Sequence, residues 1–85
     1  METVVAEHAL KHGLTEDEIV YAWGNFIKMQ RRKTPNENQV AAIGYDRRGR
    51  LIQMVATEIP NGVLIYHALT PPTAKVLIEL GFARR

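Results

Sequence analysis

Apolar residues recur at helical spacing in the first third of the chain. Residues 4–12 predict a short helix, and Gly13 is placed to end it. Thr15 and Glu18 form a capping-box pattern, so a second helix is expected to begin there. The apolar stripe of this second helix consists of Ile19, Ala22, Trp23 and Phe26.

From residue 27 the pattern changes to alternating apolar and polar residues, as in half-exposed strands. Clusters of Pro, Asn, Asp and Gly predict turns between the strands. The expected strands cover residues 27–33, 39–46, 50–59 and 63–69. Thr70 is then expected to cap a last helix that Gly81 ends. The predicted fold is α+β: two N-terminal helices, a four-stranded antiparallel β-meander and a C-terminal helix, in a single domain over residues 1–85.

The last predicted hairpin brings two polar side chains onto a mostly apolar face. Asn61 and Gly62 are typical of a two-residue turn, which would place Ala56 opposite His67. Glu58 would then be a diagonal neighbour of His67, with the backbones about 7–8 Å apart. A nearby carboxylate can orient a histidine or raise its pKa. The sequence therefore predicts that Glu58 lies close enough to contact and orient His67.

Composition excludes several ways of stabilising or anchoring a small protein. The chain has no cysteine, so neither disulfides nor thiolate metal sites contribute. No apolar run reaches the roughly 18 residues of a membrane span. The N-terminus also lacks the basic start and apolar stretch of a signal peptide. We therefore expect a cytoplasmic protein without a membrane partner.

Charge is distributed unevenly, although the net charge is only +2. Residues 1–18 carry five acidic residues and a single lysine. The seven basic residues within 28–50 are Lys28, Arg31, Arg32, Lys33, Arg47, Arg48 and Arg50. A basic stretch attracts phosphates, so this segment is expected to bind RNA or an acidic partner.

The histidines are the candidate catalytic groups. His12 and His67 could act as acid and base while a ribose 2′-hydroxyl attacks the adjacent phosphate, because imidazole titrates near neutral pH. We expect them to approach each other where the first helix crosses the sheet. The phosphate could be held by a cation, for which the candidates are Lys11, Arg31 and Arg50.

Several stretches resemble the BrnT-type toxins of bacterial toxin–antitoxin systems, small members of the RelE-like ribonuclease superfamily. The matching segments are LKHGLTEDEI at 10–19, VAAIGYDRRGRLIQMVATE at 40–58, and a final strand followed by a helix. The resemblance implies RNA cleavage without a metal or cofactor, and inhibition by an antitoxin, a small DNA-binding protein. The site residues that it points to are Lys11, His12, Arg50 and Glu58.

The chain departs from the BrnT pattern at the end of its last strand. Where those toxins have I-S-A-R, this chain has YHALTPPTAK, with His67 and no arginine. In addition, Arg50 and Glu58 are eight residues apart on one predicted strand, about 26 Å. These two residues therefore cannot act on the same bond.

Two other functions fit the same sequence. One is a non-catalytic module on the same fold, working as a homodimer or within a complex. The other is a small metal-binding protein, since His8 and His12 are four residues apart and His67 could be a third ligand. The HALKH segment lacks the glutamate of the HExxH zinc motif.

Overall fold

The structure is a computed structural model, and it describes residues 2–82. Its strands are β1 (Glu2–Val5), β2 (Phe26–Arg31), β3 (Gln39–Tyr45), β4 (Leu51–Ile59) and β5 (Gly62–Leu69). They form a five-stranded mixed sheet in the order β1-β5-β4-β3-β2. A 3-10 helix (Glu7–Leu10) follows β1, and the α-helices are α1 (Glu16–Gly24) and α2 (Ala74–Glu79). No helix within residues 2–82 is long and apolar enough to cross a membrane.

The described chain begins with a strand, so the predicted helix over residues 4–12 is wrong. β1 pairs with β5 in parallel, and its last residue, Val5, lies opposite Ile65. β1 is rich in β-branched residues, and the free edge of β5 offers it hydrogen-bond partners. Only Glu7–Leu10 is helical, as one 3-10 turn. The predicted two N-terminal helices and four-stranded antiparallel sheet are therefore replaced by one helical turn, α1 and a five-stranded mixed sheet.

The capping box predicted for the next helix is confirmed. The Thr15 hydroxyl accepts a hydrogen bond from the backbone N–H of Glu18 at 3.1 Å. In return, the Glu18 carboxylate accepts one from the backbone N–H of Thr15 at 2.8 Å. The helix ends at Gly24, so Phe26 belongs to β2 and not to the predicted helical stripe.

The last helix begins later than expected. Its N-cap is Thr73, whose hydroxyl accepts from the backbone N–H of Val76, and not Thr70. Thr70 and Pro71 each precede a proline, which disfavours helical backbone at both residues. The Thr70 hydroxyl instead donates to the carbonyl of Leu51 at 2.6 Å, which ties the end of β5 to the start of β4.

The turn between β4 and β5 lies one residue earlier than predicted. Ile59 pairs with Gly62, so Pro60 and Asn61 form the turn, with Asn61 at φ 65°. Gly62 is a strand residue, and a Cβ at this position would overlap the backbone carbonyl of Glu2 in β1. The glycine predicted to shape the turn therefore permits the close approach of β1.

A bulge in β5 moves His67 to the other face of the sheet. Val55 pairs with His67, whereas Ala56 pairs with Ile65, and Tyr66 lies between the two pairs. The predicted pairing of Ala56 with His67 is therefore wrong. Because paired residues point to the same side of a sheet, His67 shares a face with Val55.

The two faces of the sheet carry separate hydrophobic cores. The face toward α1 and the 3-10 helix, here called the α1 face, buries Ala42, Ile52, Met54, Ala56, Ile65 and Ala68. The opposite face, here called the α2 face, packs against α2 through a cluster of Ala41, Ile43, Val76 and Leu80. Gln53, Val55 and His67 project from the α2 face, because alternate strand residues point to opposite sides.

We predict that Gly44→Ala destabilises the protein. A Cβ on Gly44 of β3 would overlap the carbonyl oxygen of Ala22 in α1, a backbone atom that cannot rotate away. The helix must shift, at a cost of about 1–3 kcal/mol in the free energy of unfolding, typical of overpacking. Urea denaturation monitored by circular dichroism measures this cost.

Gly24→Ala is the matched control for this substitution. A Cβ on Gly24, the last residue of α1, meets no atom within 4 Å. Alanine also has the higher helix propensity, so stability should be unchanged or rise by up to about 1 kcal/mol. Equal stabilities of the Gly44→Ala variant and the wild type would contradict the close packing of α1 on β3.

Candidate functional site

Two histidines meet beside the end of β5 that β1 leaves unpaired. β1 ends opposite Ile65, and the backbone N–H of Ala6 donates to the Ile65 carbonyl at 2.8 Å. The 3-10 helix therefore lies beside the part of β5 that extends past β1. This arrangement brings the ring of His12 to 5.9 Å from the ring of His67, centroid to centroid, in an edge-on geometry. The predicted approach of the two histidines is confirmed, but it occurs beside the end of β5 and not where a first helix crosses the sheet.

A buried glutamine orients His67. Gln53 of β4 is only 4 % exposed, and its Oε1 accepts from the backbone N–H and the hydroxyl of Thr73, at 2.7 and 3.1 Å. A backbone N–H can only donate, so the amide oxygen of Gln53 must face Thr73. The amide nitrogen then faces Nε2 of His67 at 2.8 Å. Nε2 is therefore the acceptor, and the neutral ring carries its proton on Nδ1.

Gln53 was not among the residues predicted from the sequence. It interrupts the apolar run of LIQMVA in β4, and a polar residue in the middle of a buried strand needs a hydrogen-bond partner. That signal is present in the sequence, but it does not identify the partners. Thr73 and His67 are 20 and 14 residues away along the chain.

The surroundings of His67 favour its neutral form. Burial lowers the pKa of His67 below its ordinary value, and the positive charges of His12, Arg32 and Lys11 lower it further. The amide of Gln53 acts in the same direction, because a protonated ring would direct an N–H at another donor. His67 is therefore neutral at pH 7, and its Nδ1–H is available to donate a hydrogen bond.

Glu58 lies away from this pair of histidines, so its predicted contact with His67 is wrong. It pairs with Val63, four residues along β5 from His67, or about 13 Å. It also projects from the α1 face, as Ala56 does. There the Glu58 carboxylate accepts two hydrogen bonds from Arg31, at 2.7 and 3.0 Å. The hydrogen bonds and charge of Arg31 lower the pKa of Glu58, which makes the carboxylate a weaker base.

Arg50 belongs to a structural network at the tip of the β3–β4 hairpin. Its guanidinium donates to Asp46 at 2.7 Å and to Glu18 of α1 at 2.9 Å. Burial acts to raise the pKa of Asp46, but hydrogen bonds from Arg50 and Arg48 outweigh it and the pKa lies below its ordinary value. Arg50 precedes Val55, the partner of His67, by five residues, or about 16 Å. The structure thus separates Arg50 from the histidines.

The remaining predicted cations differ in how close they lie to the two histidines and in whether a carboxylate pairs with them. Lys11 immediately precedes His12 and is exposed, and its charge acts on His67. Arg32 also acts on His67, although its guanidinium is paired with Glu79 at 3.0 and 3.2 Å. Lys28 is exposed on β2, three strands from β5. Lys11 and Arg32 are thus the predicted cations whose charges reach His67, and Lys11 is the one adjacent to His12 in the sequence.

No metal-binding cluster is assembled in the described part of the chain. Within residues 2–82, no three side chains from histidine, cysteine, aspartate and glutamate are grouped to hold a metal ion. His8 is exposed on the 3-10 helix. The three-histidine ligand set considered from the sequence is therefore not formed.

We predict that His67 makes the protein less stable as the pH falls. Its pKa is lowered in the folded protein, so the unfolded chain binds a proton more readily. The stability that His67 contributes is complete above its unfolded pKa, about 6.5, and is lost as the pH falls through the folded value. Urea denaturation between about pH 7.5 and about pH 5.5 should show this loss. The loss of unfolding free energy should be smaller in His67→Gln. In Tyr66→Phe, a change at the neighbouring residue, it should equal that of the wild type. The same dependence of unfolding free energy on pH in all three proteins would contradict the prediction.

We further predict that Gln53→Glu raises the pKa of His67. The glutamate has nearly the same shape and can still accept from Thr73 through one oxygen. Its other oxygen takes the place of the amide nitrogen opposite Nε2. A charged acceptor there favours the protonated ring. The ring titration followed by NMR should move upward relative to the wild type. An unchanged or lower pKa would mean that the amide does not orient His67 as described.

No protein-family model, curated protein or solved structure matches the chain.

Proposed function

We propose that the protein is a small metal-independent ribonuclease that acts as the toxin of a toxin–antitoxin system, similar to the BrnT-type toxins. The observation that carries this proposal is the pair of imidazoles 5.9 Å apart, with Lys11 next to it in sequence. Imidazoles and a cation are the groups that phosphodiester cleavage by a ribose 2′-hydroxyl needs. Lys11 and His12 also belong to the KHG segment of the resemblance.

The proposed reaction proceeds by internal attack in the RNA. The 2′-oxygen forms a bond to phosphorus, and the bond from phosphorus to the 5′-oxygen breaks. The products are a 2′,3′-cyclic phosphate and a 5′-hydroxyl. His12, which is exposed, accepts the 2′-proton, and the ammonium of Lys11 supplies a proton to the departing 5′-oxygen.

His67 acts in this scheme as an oriented donor and not as the base. Its Nε2 accepts from Gln53, so this nitrogen is not free to take a proton from RNA. Its Nδ1–H can donate to a non-bridging oxygen of the phosphate, where negative charge develops in the transition state. Gln53 is a positioning residue, because it acts on RNA only through His67.

The toxin role is supported by the motif resemblance alone. An antitoxin, expected to be a small DNA-binding protein, would restrain the ribonuclease in the cytoplasm. An acidic segment of such a partner is attracted to the same cations as RNA, because both carry negative charge.

A partner-binding module without catalysis is the second candidate, and one feature favours it. β2 is at the edge of the sheet, and its first residues Phe26 and Ile27 are 48 % and 47 % exposed. Unpaired strand edges with apolar side chains are sites where another chain can add a strand. A second copy or another protein could pair there with no contribution from the histidines.

We predict that the purified protein cleaves RNA in the presence of EDTA and that His12→Ala abolishes this activity. Loss of a general base typically costs about 10²–10⁴-fold in rate. His67→Ala should also reduce the rate, because it removes a donor to the phosphate. The readouts are cleavage of a labelled RNA and bacterial growth after induction of the chain alone. Thermal denaturation establishes that each variant is folded.

His8→Ala is the matched control, since His8 is another exposed histidine, four residues before His12 in the sequence. It should cleave RNA at the wild-type rate and inhibit growth equally. If the wild-type protein does not cleave RNA but forms a stable complex with itself or with another protein at micromolar concentration, the ribonuclease proposal is contradicted and the binding module is favoured.

A further inference from the structure

A basic groove lies beside α2, away from the histidines. Its volume is about 710 Å³ and it opens to solvent between α2 and the end of β2. Three cations and one carboxylate line it, together with two amides: Arg32, Lys33, Lys75, Glu79, Gln30 and Asn36. Ile78 adds an apolar patch to the lining. The groove therefore combines an apolar wall with an excess of positive charge.

The positive charge of this groove comes from two lysines. Arg32 and Glu79 neutralise each other through paired contacts at 3.0 and 3.2 Å. Lys33 and Lys75 are exposed, and neither forms a salt bridge with a carboxylate within residues 2–82. Two free ammonium groups beside amide donors are a suitable site for phosphate oxygens.

The groove and His67 lie on the same face of the sheet. Gln30, Ala41, Val55 and His67 form one row across β2, β3, β4 and β5. Three strand spacings separate Gln30 from His67, about 14 Å. Arg32 connects the two regions electrostatically, since it lines the groove and its charge also acts on His67. A distance of this size is within the reach of an extended nucleic-acid strand of several nucleotides.

We propose that this groove is a second phosphate-binding site, which holds single-stranded RNA several nucleotides away from the bond that is cleaved. Lys33 and Lys75 contact the phosphates, and the amides of Gln30 and Asn36 donate to them. The proposal rests on the ribonuclease function for the identity of its ligand. It adds a requirement for substrate length, because a dinucleotide at the histidines is too short to reach the lysines.

The test uses a 2′-O-methyl RNA oligonucleotide of about ten nucleotides, which cannot be cleaved and lies within the usual size of single-strand sites. Its binding to the full chain is measured by fluorescence anisotropy over a range of salt concentrations. The double variant Lys33→Gln/Lys75→Gln should bind more weakly. Its slope of log K against log salt should be smaller by about 1.4, since each phosphate contact on a single strand contributes about 0.7.

Arg47→Gln/Arg48→Gln is the control with the same loss of net charge. Both arginines are exposed in the turn between β3 and β4, outside the groove. This control should keep the wild-type affinity and salt slope. Cleavage of a dinucleotide should be equal in the lysine variant and the wild type, while cleavage of the longer unmodified RNA should need a higher substrate concentration in the lysine variant.

The outcomes separate this proposal from the ribonuclease function. Loss of oligonucleotide binding in the lysine variant supports the groove even if the wild-type protein cleaves nothing. Wild-type affinity and salt slope in the lysine variant overturn the groove even if cleavage at the histidines is confirmed. Binding of an acidic peptide to the groove without any binding of the oligonucleotide also overturns it.

Discussion

The parallel pairing of β1 with β5 is the constraint on which the candidate site depends. β1 ends opposite Ile65, whereas β5 continues to Leu69, so one side of β5 is left free. The 3-10 helix lies beside that free end and brings His12 to His67. The pairing itself requires Gly62, because any side chain there would overlap the backbone of Glu2. The assembly of the two histidines therefore depends on a single close backbone contact at the start of β5.

Gln53 connects the packing of α2 to the chemistry of His67. Its oxygen accepts from Thr73, the N-cap of α2, and its nitrogen donates to His67. The start of α2 therefore determines which way the amide points, and the amide determines which ring nitrogen carries the proton. Burial and nearby cations lower the pKa of the same ring. The proposed division of roles, with His12 as the base and His67 as a donor, follows from this chain of hydrogen bonds.

The basic residues divide into two groups according to whether a carboxylate accompanies them. Arg31 and Arg50 are paired with acids on the α1 side of the molecule, where they connect structural elements. Lys11, Lys33 and Lys75 are exposed without such partners in residues 2–82, and Lys33 and Lys75 line the groove beside α2. The basic stretch seen in the sequence is thus not one surface. Two arginines that were candidate phosphate ligands contribute to the fold, and exposed lysines form the free positive charge.

The sequence by itself determined the features that depend on neighbouring residues. The capping box of Thr15 and Glu18 is local hydrogen bonding, and the alternation from residue 27 onward is local side-chain geometry, so both were predictable. Only the tertiary structure decided that residues 2–5 form a strand. A short run of this kind is compatible with a helix or a strand, and pairing with the free edge of β5 selects the strand. It also decided the turn at Pro60 and Asn61 and the bulge at Tyr66, which removed the expected contact of Glu58 with His67. A shift of one residue reverses the face of every side chain in a strand, and such shifts are set by contacts between residues distant in sequence.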